Sequence, residues 1–426
     1  MNNHAPKEFS DRFWLLWGSQ AVSLAGTFAV QFAIIWWLTS TTGSATVLAT
    51  ATLIGLLPQV LLGPFFGALV DRWNRKKIML IADSAIALVS AWLAWMFYIE
   101  AATTTHVFIA LGARAIGGAI HAPAMLASTS LMVPEEHYVR VQGLNQALTN
   151  GSPLLAAPLG ALLISWLPMS SILMLDVLTA LIAVIPLIFV LVPQPEADEA
   201  EDEGTSVIAD VVEGIRYLRK HKEQSYLIIG ATFVNICVVP AFALLPLLVL
   251  QEFNGGAFYL SGLQLLFGVG GVIGGSILAS WGGFKKRVYT VLLGFASMGT
   301  ATLLMGVSPG TSSWLPAIAM FLVGAAAALI NGAIMAMLQS QVAADYQGRL
   351  FTLLGSIAGA ATPVALLLAA PVAELLGIRF WYIAGGVGCI LIATIAAAIP
   401  AITGMEDNQE DDAASETPDT QTAAQP

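Results

Sequence analysis

The sequence is poor in charge. Asp, Glu, Lys and Arg make up only 10% of its 426 residues, against roughly 25% in an ordinary soluble domain, so a water-facing surface cannot be built from it. Cysteine is scarcer still. Cys237 and Cys389 stand far apart inside apolar stretches, which excludes a disulfide scaffold and a closely spaced thiolate metal site. There is no Gly-Lys pair anywhere, and therefore no phosphate loop of the G-x-x-x-x-G-K-[ST] type to drive a pump with ATP. Gly306-Val307-Ser308-Pro309-Gly310 matches G-x-S-x-G, but it falls between two apolar spans, whereas a hydrolase needs that motif at a strand-to-helix elbow. No enzyme chemistry, cofactor or metal is expected.

What the chain has in abundance is apolar length. The residues AVILMFWYC supply 57% of it, and mean hydropathy is +0.79. Apolar stretches of 18 or more residues recur, as a bilayer core of about 30 Å requires. The first, Phe13 to Leu38, is too long for a signal-peptide core and should stay in the mature protein. With Gly, Pro and charge clusters as punctuation, five more spans fall near 46–70, 78–99, 105–128, 141–167 and 172–192. Six others fall near 225–250, 258–280, 288–306, 313–338, 350–376 and 380–403. The expected fold is all-α: an integral membrane protein of 12 transmembrane helices in two six-helix bundles, 1–192 and 225–403.

Between the bundles, 193–224 reads as a cytoplasmic linker, with an acidic run from Glu196 to Glu203 and a surface amphipathic stretch from Val207 to Leu218. Residues 404–426 have the composition of a disordered acidic tail. The net charge of −10 comes largely from these two segments, so it says little about a transported molecule. A nucleic-acid partner is not expected; lipid bilayer, a small-molecule substrate and protons are, with the chain working as a monomer.

Positive residues set the orientation, because loops rich in Lys and Arg stay inside. With the N-terminus in the cytoplasm, Lys7, Arg12, Arg72, Arg75, Lys76, Lys77, Arg140, Lys285, Lys286, Arg287 and Arg349 all fall on the inner side, and only Arg379 falls outside. Both termini should then be cytoplasmic, in a bacterial inner membrane. An offset of 209 carries Lys76 and Lys77 onto Lys285 and Lys286, and Arg140 onto Arg349. The halves are repeats, a known way to build an alternating-access carrier.

Gly67-Ala-Leu-Val-Asp71-Arg72-Trp73-Asn74-Arg75-Lys76-Lys77 joins the second and third spans. It resembles the signature loop of the major facilitator superfamily, G-x-x-x-D-[RK]-x-G-[RK]-[RK], with Asn74 at the second glycine, where Asn tolerates a left-handed turn. The resemblance implies a conformational latch of Gly67, Asp71, Arg72, Arg75 and Lys76. The repeat-related position of Asp71 holds Ser280. Asn150 to Gly160, with Pro153 and Pro158, looks like a loose antiporter motif without its doubled glycine. With Arg12 to Ser44, Val133-Pro134-Glu135-Glu136 and Gly348 to Ser356, the similarity extends over roughly 10–403 to the bacterial macrolide efflux proteins, a drug:proton antiporter branch. That family implies export of small hydrophobic compounds of macrolide type. An exporter of another metabolite or of a siderophore-like compound, a channel and a sensor remain open alternatives.

An arginine within a span is costly and marks function by default. Arg114, in the fourth span, corresponds to the superfamily's arginine associated with proton coupling; a purely structural arginine is the other reading. Asp176, in the sixth span, is the acid best placed to carry the proton, unless it caps its helix. Gln20, Ser23, Thr27 and Gln31 lie on one stripe of the first span at steps of three, four and four. Arg114 and His121 share a face, as do Gln142, Asn145, Gln146 and Thr149. Gln20, Thr27, Gln31, His121, Asn145 and Gln146, with Asn235, Gln264 and Asn331 from the second half, are expected to outline a substrate cavity.

Overall fold

The computed structural model describes residues 7–190, 222–341 and 344–404. The first half holds α1 (Lys7–Thr42), α2 (Ala45–Arg72), α3 (Arg75–Tyr98), α4 (Thr104–Leu131), α5 (Tyr138–Trp166) and α6 (Met169–Phe189). The second holds α7 (Lys222–Ala243), α8 (Leu245–Glu252), α9 (Ala257–Trp281), α10 (Arg287–Val307), α11 (Trp314–Gln341), α12 (Ala344–Leu376), α13 (Arg379–Ala398) and α14 (Pro400–Thr403). Eleven helices are long and apolar enough to cross a bilayer, and the bent pair α7–α8 makes a twelfth span. Leu88, Leu155, Leu367 and many other large apolar side chains point outward, as lipid-facing positions must. The proposed linker amphipath and acidic tail lie outside the described residues.

The seventh span, expected to be continuous, bends by 49° between α7 and α8. Pro246 stands in the first turn of α8; it has no N–H to continue the ladder, and its ring crowds the preceding carbonyls. Pro400 likewise divides the last span, leaving α14 as a single turn. In the first half, Pro123, Pro153, Pro158 and Pro186 lie inside α4, α5 and α6 without ending them.

Packing is closest between α9 and α11. A Cβ on Gly270 would stand 2.0 Å from the Phe321 carbonyl oxygen, and one on Gly324 would stand 1.9 Å from that of Phe267. Small residues let the two backbones touch where lipid offers no hydrophobic drive.

The two ends of the molecule differ. One carries the basic turns before α3 and α10. There, Arg75 Nη1 donates to the Ala127 carbonyl at 3.0 Å and Lys76 Nζ to those of Ile188 and Val190 at 2.8 and 2.9 Å. The second half does the same, with Arg287 Nη1 on the Ala336 carbonyl at 2.9 Å and Lys286 Nζ on that of Thr403 at 3.4 Å. In each half, cations close the exposed C-terminal carbonyls of the half's fourth and sixth spans. Asn74 is an N-cap with φ −66° rather than a left-handed turn residue, its side chain accepting from Lys77 N at 3.0 Å. That role suits an amide as well as any side chain.

At the basic end, the buried apolar clusters are separate. One, around Phe13, Met79 and Leu187, belongs to the first half; another, around Val291, Phe295 and Met337, to the second. At the opposite end a single cluster joins both halves, with Ile34, Leu48 and Leu111 packed into one body with Leu247, Leu260 and Trp381. Polar contacts complete that closure. Gln251 Nε2 donates to the Gly43 carbonyl at 2.8 Å, and Thr46 Oγ1 to Glu374 Oε1 at 2.5 Å.

Candidate functional site

Three helices of the first half carry polar pairs seven residues apart: Gln20 and Thr27 on α1, Asp83 and Ser90 on α3, Arg114 and His121 on α4. Seven residues are two helical turns, about 10.5 Å. Because α3 and α4 run in opposite directions, Ser90 meets Arg114 while Asp83 meets His121, and two polar rungs result.

The rung farther from the basic turns is centred on Asp176 of α6. Its Oδ2 accepts from Arg114 Nη1 and from Ser90 Oγ, the latter at 2.7 Å, and its Oδ1 accepts from Thr27 Oγ1 at 3.3 Å. Arg114 Nη1 also donates to Ser90 Oγ. Asp176 is 2% and Arg114 6% exposed. Such a pair survives burial only because further hydrogen bonds satisfy the carboxylate, and removing one partner would leave a bare charge at a cost of about 3–5 kcal/mol. Asp176 lies two turns inside α6, so the helix-cap alternative fails. Arg114 Nη2 has no hydrogen-bond partner among the described residues.

The nearer rung is centred on Asp83, 6% exposed. Gln20 Nε2 donates to its Oδ2 at 3.1 Å. His121 Nε2 lies 3.2 Å from Oδ1, within ion-pair distance, but off the direction a hydrogen bond requires. This rung forms part of the wall of a cavity of about 190 Å³ between α1, α3, α4 and α5. Gln20, Ser23, Thr27, Asp83, His121, Asn145 and Thr149 are its polar lining. Asn145 is held in place by Trp17, whose Nε1 donates to its Oδ1 at 2.9 Å.

Of the residues expected to outline a cavity, Gln20, Thr27, His121 and Asn145 are brought together here. Gln31 lies one turn beyond Thr27 on α1 and Gln146 is exposed on α5; neither borders this cavity. Asn235 on α7, Gln264 on α9 and Asn331 on α11 do not border it either; Asn331 Nδ2 bonds the Ala327 carbonyl of its own helix at 2.9 Å. Arg114 and Asp176 sit behind its wall, with Thr27 as the link. Ser90 was not singled out from the sequence, although its position seven residues after Asp83 was the available signal.

Of the latch residues, Arg75 and Lys76 make the bonds within the first half described above, and Arg72 is exposed. Nothing described lies within 4 Å of where a Gly67 Cβ would be. The Asp71 side chain lies outside the described residues. Ser308, of the G-x-S-x-G match, ends α10 with its hydroxyl on the Leu304 carbonyl at 2.6 Å, a helix-end bond with no elbow.

A family model described as Major Facilitator Superfamily matches residues 16–365. Macrolide efflux protein A of Streptococcus pyogenes is 34% identical over 395 residues, covering 93% of this chain and 97% of its own. Its namesake from Enterococcus faecalis is 33% identical over 324 residues, 76% of this chain and 100% of its own. Among solved structures, a mutant of the nucleoside transporter NupG superposes with a TM-score of 0.67 at 11% identity, over 91% of this chain and 98% of that one. The chain therefore belongs to the major facilitator superfamily, among the macrolide efflux proteins, and is a multi-pass membrane transporter rather than an enzyme.

Proposed function

We propose that this transporter exports small hydrophobic drug-like compounds, of macrolide type, by proton antiport with alternating access. One observation carries the mechanism: the buried pair of Arg114 and Asp176 is linked through Thr27 to a cavity, in a molecule whose described halves share a buried apolar cluster at one end alone. A proton on Asp176 would cancel its charge and leave Arg114 uncompensated in a medium of low dielectric. The cheapest relief is a rearrangement of the helices that hold the pair, which is how a proton does work on the bundle. The names of the relatives support the substrate class and the direction.

In this reading the basic end faces the cytoplasm of a bacterial inner membrane, following the positive-inside asymmetry, and both termini lie there. The state described is then closed to the outside. The chain acts as a monomer of two bundles, 1–192 and 225–403, joined by the cytoplasmic linker. The cavity is smaller than the roughly 300–1,000 Å³ of a complete drug site, so the larger part of a substrate occupies the cleft between the halves, near Gln146, Asn235, Gln264 and Asn331.

The test is uptake into inverted membrane vesicles. An imposed proton gradient, acidic inside, should drive labelled erythromycin inward, and preloading with unlabelled drug should accelerate exchange. Uptake indifferent to the gradient would reject antiport, and uptake indifferent to preloading would reject a carrier.

A further inference from the structure

Two buried carboxylates lie two turns apart in this bundle, and they are not neutralised alike. Asp176 has an arginine and two hydroxyl donors and is sealed from the cavity. Asp83 borders the cavity, and its partners among the described residues are the neutral amide of Gln20 and the imidazole of His121, the latter not aligned for a hydrogen bond. Among the described residues no Lys or Arg is part of the cavity wall; α1 contributes Gln20, Ser23 and Thr27, α4 His121, and α5 Asn145 and Thr149. A carboxylate in such a place has a negative potential that no Lys or Arg of the cavity wall cancels, and a low-dielectric wall concentrates it.

From this we infer that the cavity is a subsite for a protonated amino substituent of the substrate, with Asp83 as its counter-ion. The inference rests on the export reading above and narrows its substrate class to cations. At about 190 Å³ the space suits an alkylated ammonium group rather than a whole drug. Gln20 holds the carboxylate toward the cavity from one side. His121, 3.2 Å away on the other, sits where the ammonium would compete with it.

The experiment compares two probes on the purified full-length chain in lipid nanodiscs: erythromycin, which carries a basic dimethylamino group, and its N-oxide, whose nitrogen no longer takes up a proton at neutral pH. The wild type should bind the amine tighter by on the order of ten- to a hundredfold. In Asp83→Asn, which preserves shape and the Gln20 and His121 neighbours, the ratio should fall to about one; Asp83→Glu should retain part of it. Monodisperse gel filtration of both variants establishes that they fold. Equal affinities in the wild type, a preference that outlives Asp83→Asn, or no binding of the amine would overturn the subsite. Export is read separately in cells. Selective binding without export would keep the subsite and defeat the export reading. Export of both compounds alike, unaltered by Asp83→Asn, would do the reverse.

Discussion

Ser90 on α3 donates to the same oxygen of Asp176 that Arg114 of α4 holds, at 2.7 Å, so three helices converge on one carboxylate. This convergence separates two roles for Arg114 that composition alone leaves tangled: holding helices together, and responding to a proton.

Arg114→Ala should abolish gradient-driven uptake and lower thermal stability, since Asp176 would be left as a bare buried charge at about 3–5 kcal/mol. The double variant Arg114→Met with Asp176→Leu should recover most of the melting temperature, because apolar side chains of similar size often replace a buried pair at little cost. It should not recover uptake. A double variant that transports would reduce the pair to a structural bridge.

Asp176→Asn fixes the side chain in a form close to the protonated carboxyl. We expect vesicle uptake that no longer responds to the proton gradient, while exchange between preloaded and external drug persists. Exchange lost together with gradient response would place Asp176 in substrate binding instead.

Asp71→Asn removes a charge beside the basic turn with little change of shape. If Asp71 latches the basic end through an interaction of roughly 1–2 kcal/mol, the equilibrium should shift by about tenfold toward the state closed at the opposite end. Distances between spin labels on the basic ends of α2 and α12 should lengthen. An unchanged distribution would leave Asp71 as an anchor of its own loop.

Glu374→Gln weakens the acceptor of the Thr46 hydroxyl across the closed end. A loss of about 0.5–1.5 kcal/mol should favour opening there by roughly three- to tenfold, read as faster labelling of a cysteine placed at Gly43. No change in labelling rate would mean that the shared apolar cluster alone keeps this end closed.

Arg379→Met tests a bracket rather than a gate. Arg379 Nε donates to Glu252 Oε2 at 2.7 Å, and Nη1 to the carbonyls of Gly306 and Ser308 at 3.1 and 2.8 Å, all within the second half. Melting should fall, by about 1–2 kcal/mol at this partly exposed position, with transport per folded molecule maintained. Transport lost at unchanged stability would make it a gate residue.

The spans were legible because lipid imposes one rule on every one of them: a long apolar run closed by polar punctuation. The break at Leu244 was not, because Pro240 and Pro246 stand amid an apolar run that scores as one helix, and prolines in α5 are tolerated. Seven-residue spacing exposed Gln20 with Thr27 and Arg114 with His121. Ser90 was hidden because serine is common in spans and bonds its own helix as readily as a neighbour's acid. The expected contributions of Asn235, Gln264 and Asn331 rested on both halves lining one cavity, whereas the cavity beside Asp83 lies wholly within the first half. A sequence carries no signal for the state in which its halves are caught.

The described buried acids, Asp83 and Asp176, and Arg114 that pairs with one of them, all belong to the first half, while no buried Asp, Glu, Lys or Arg is found among the described residues of the second. In the antiport reading proposed above, the charged groups that answer the proton gradient thus lie together in one bundle. On that reading, substitutions in the second half would leave each of those charges untouched. A lineage of such transporters would then be free to vary one bundle while the other keeps its energetics intact.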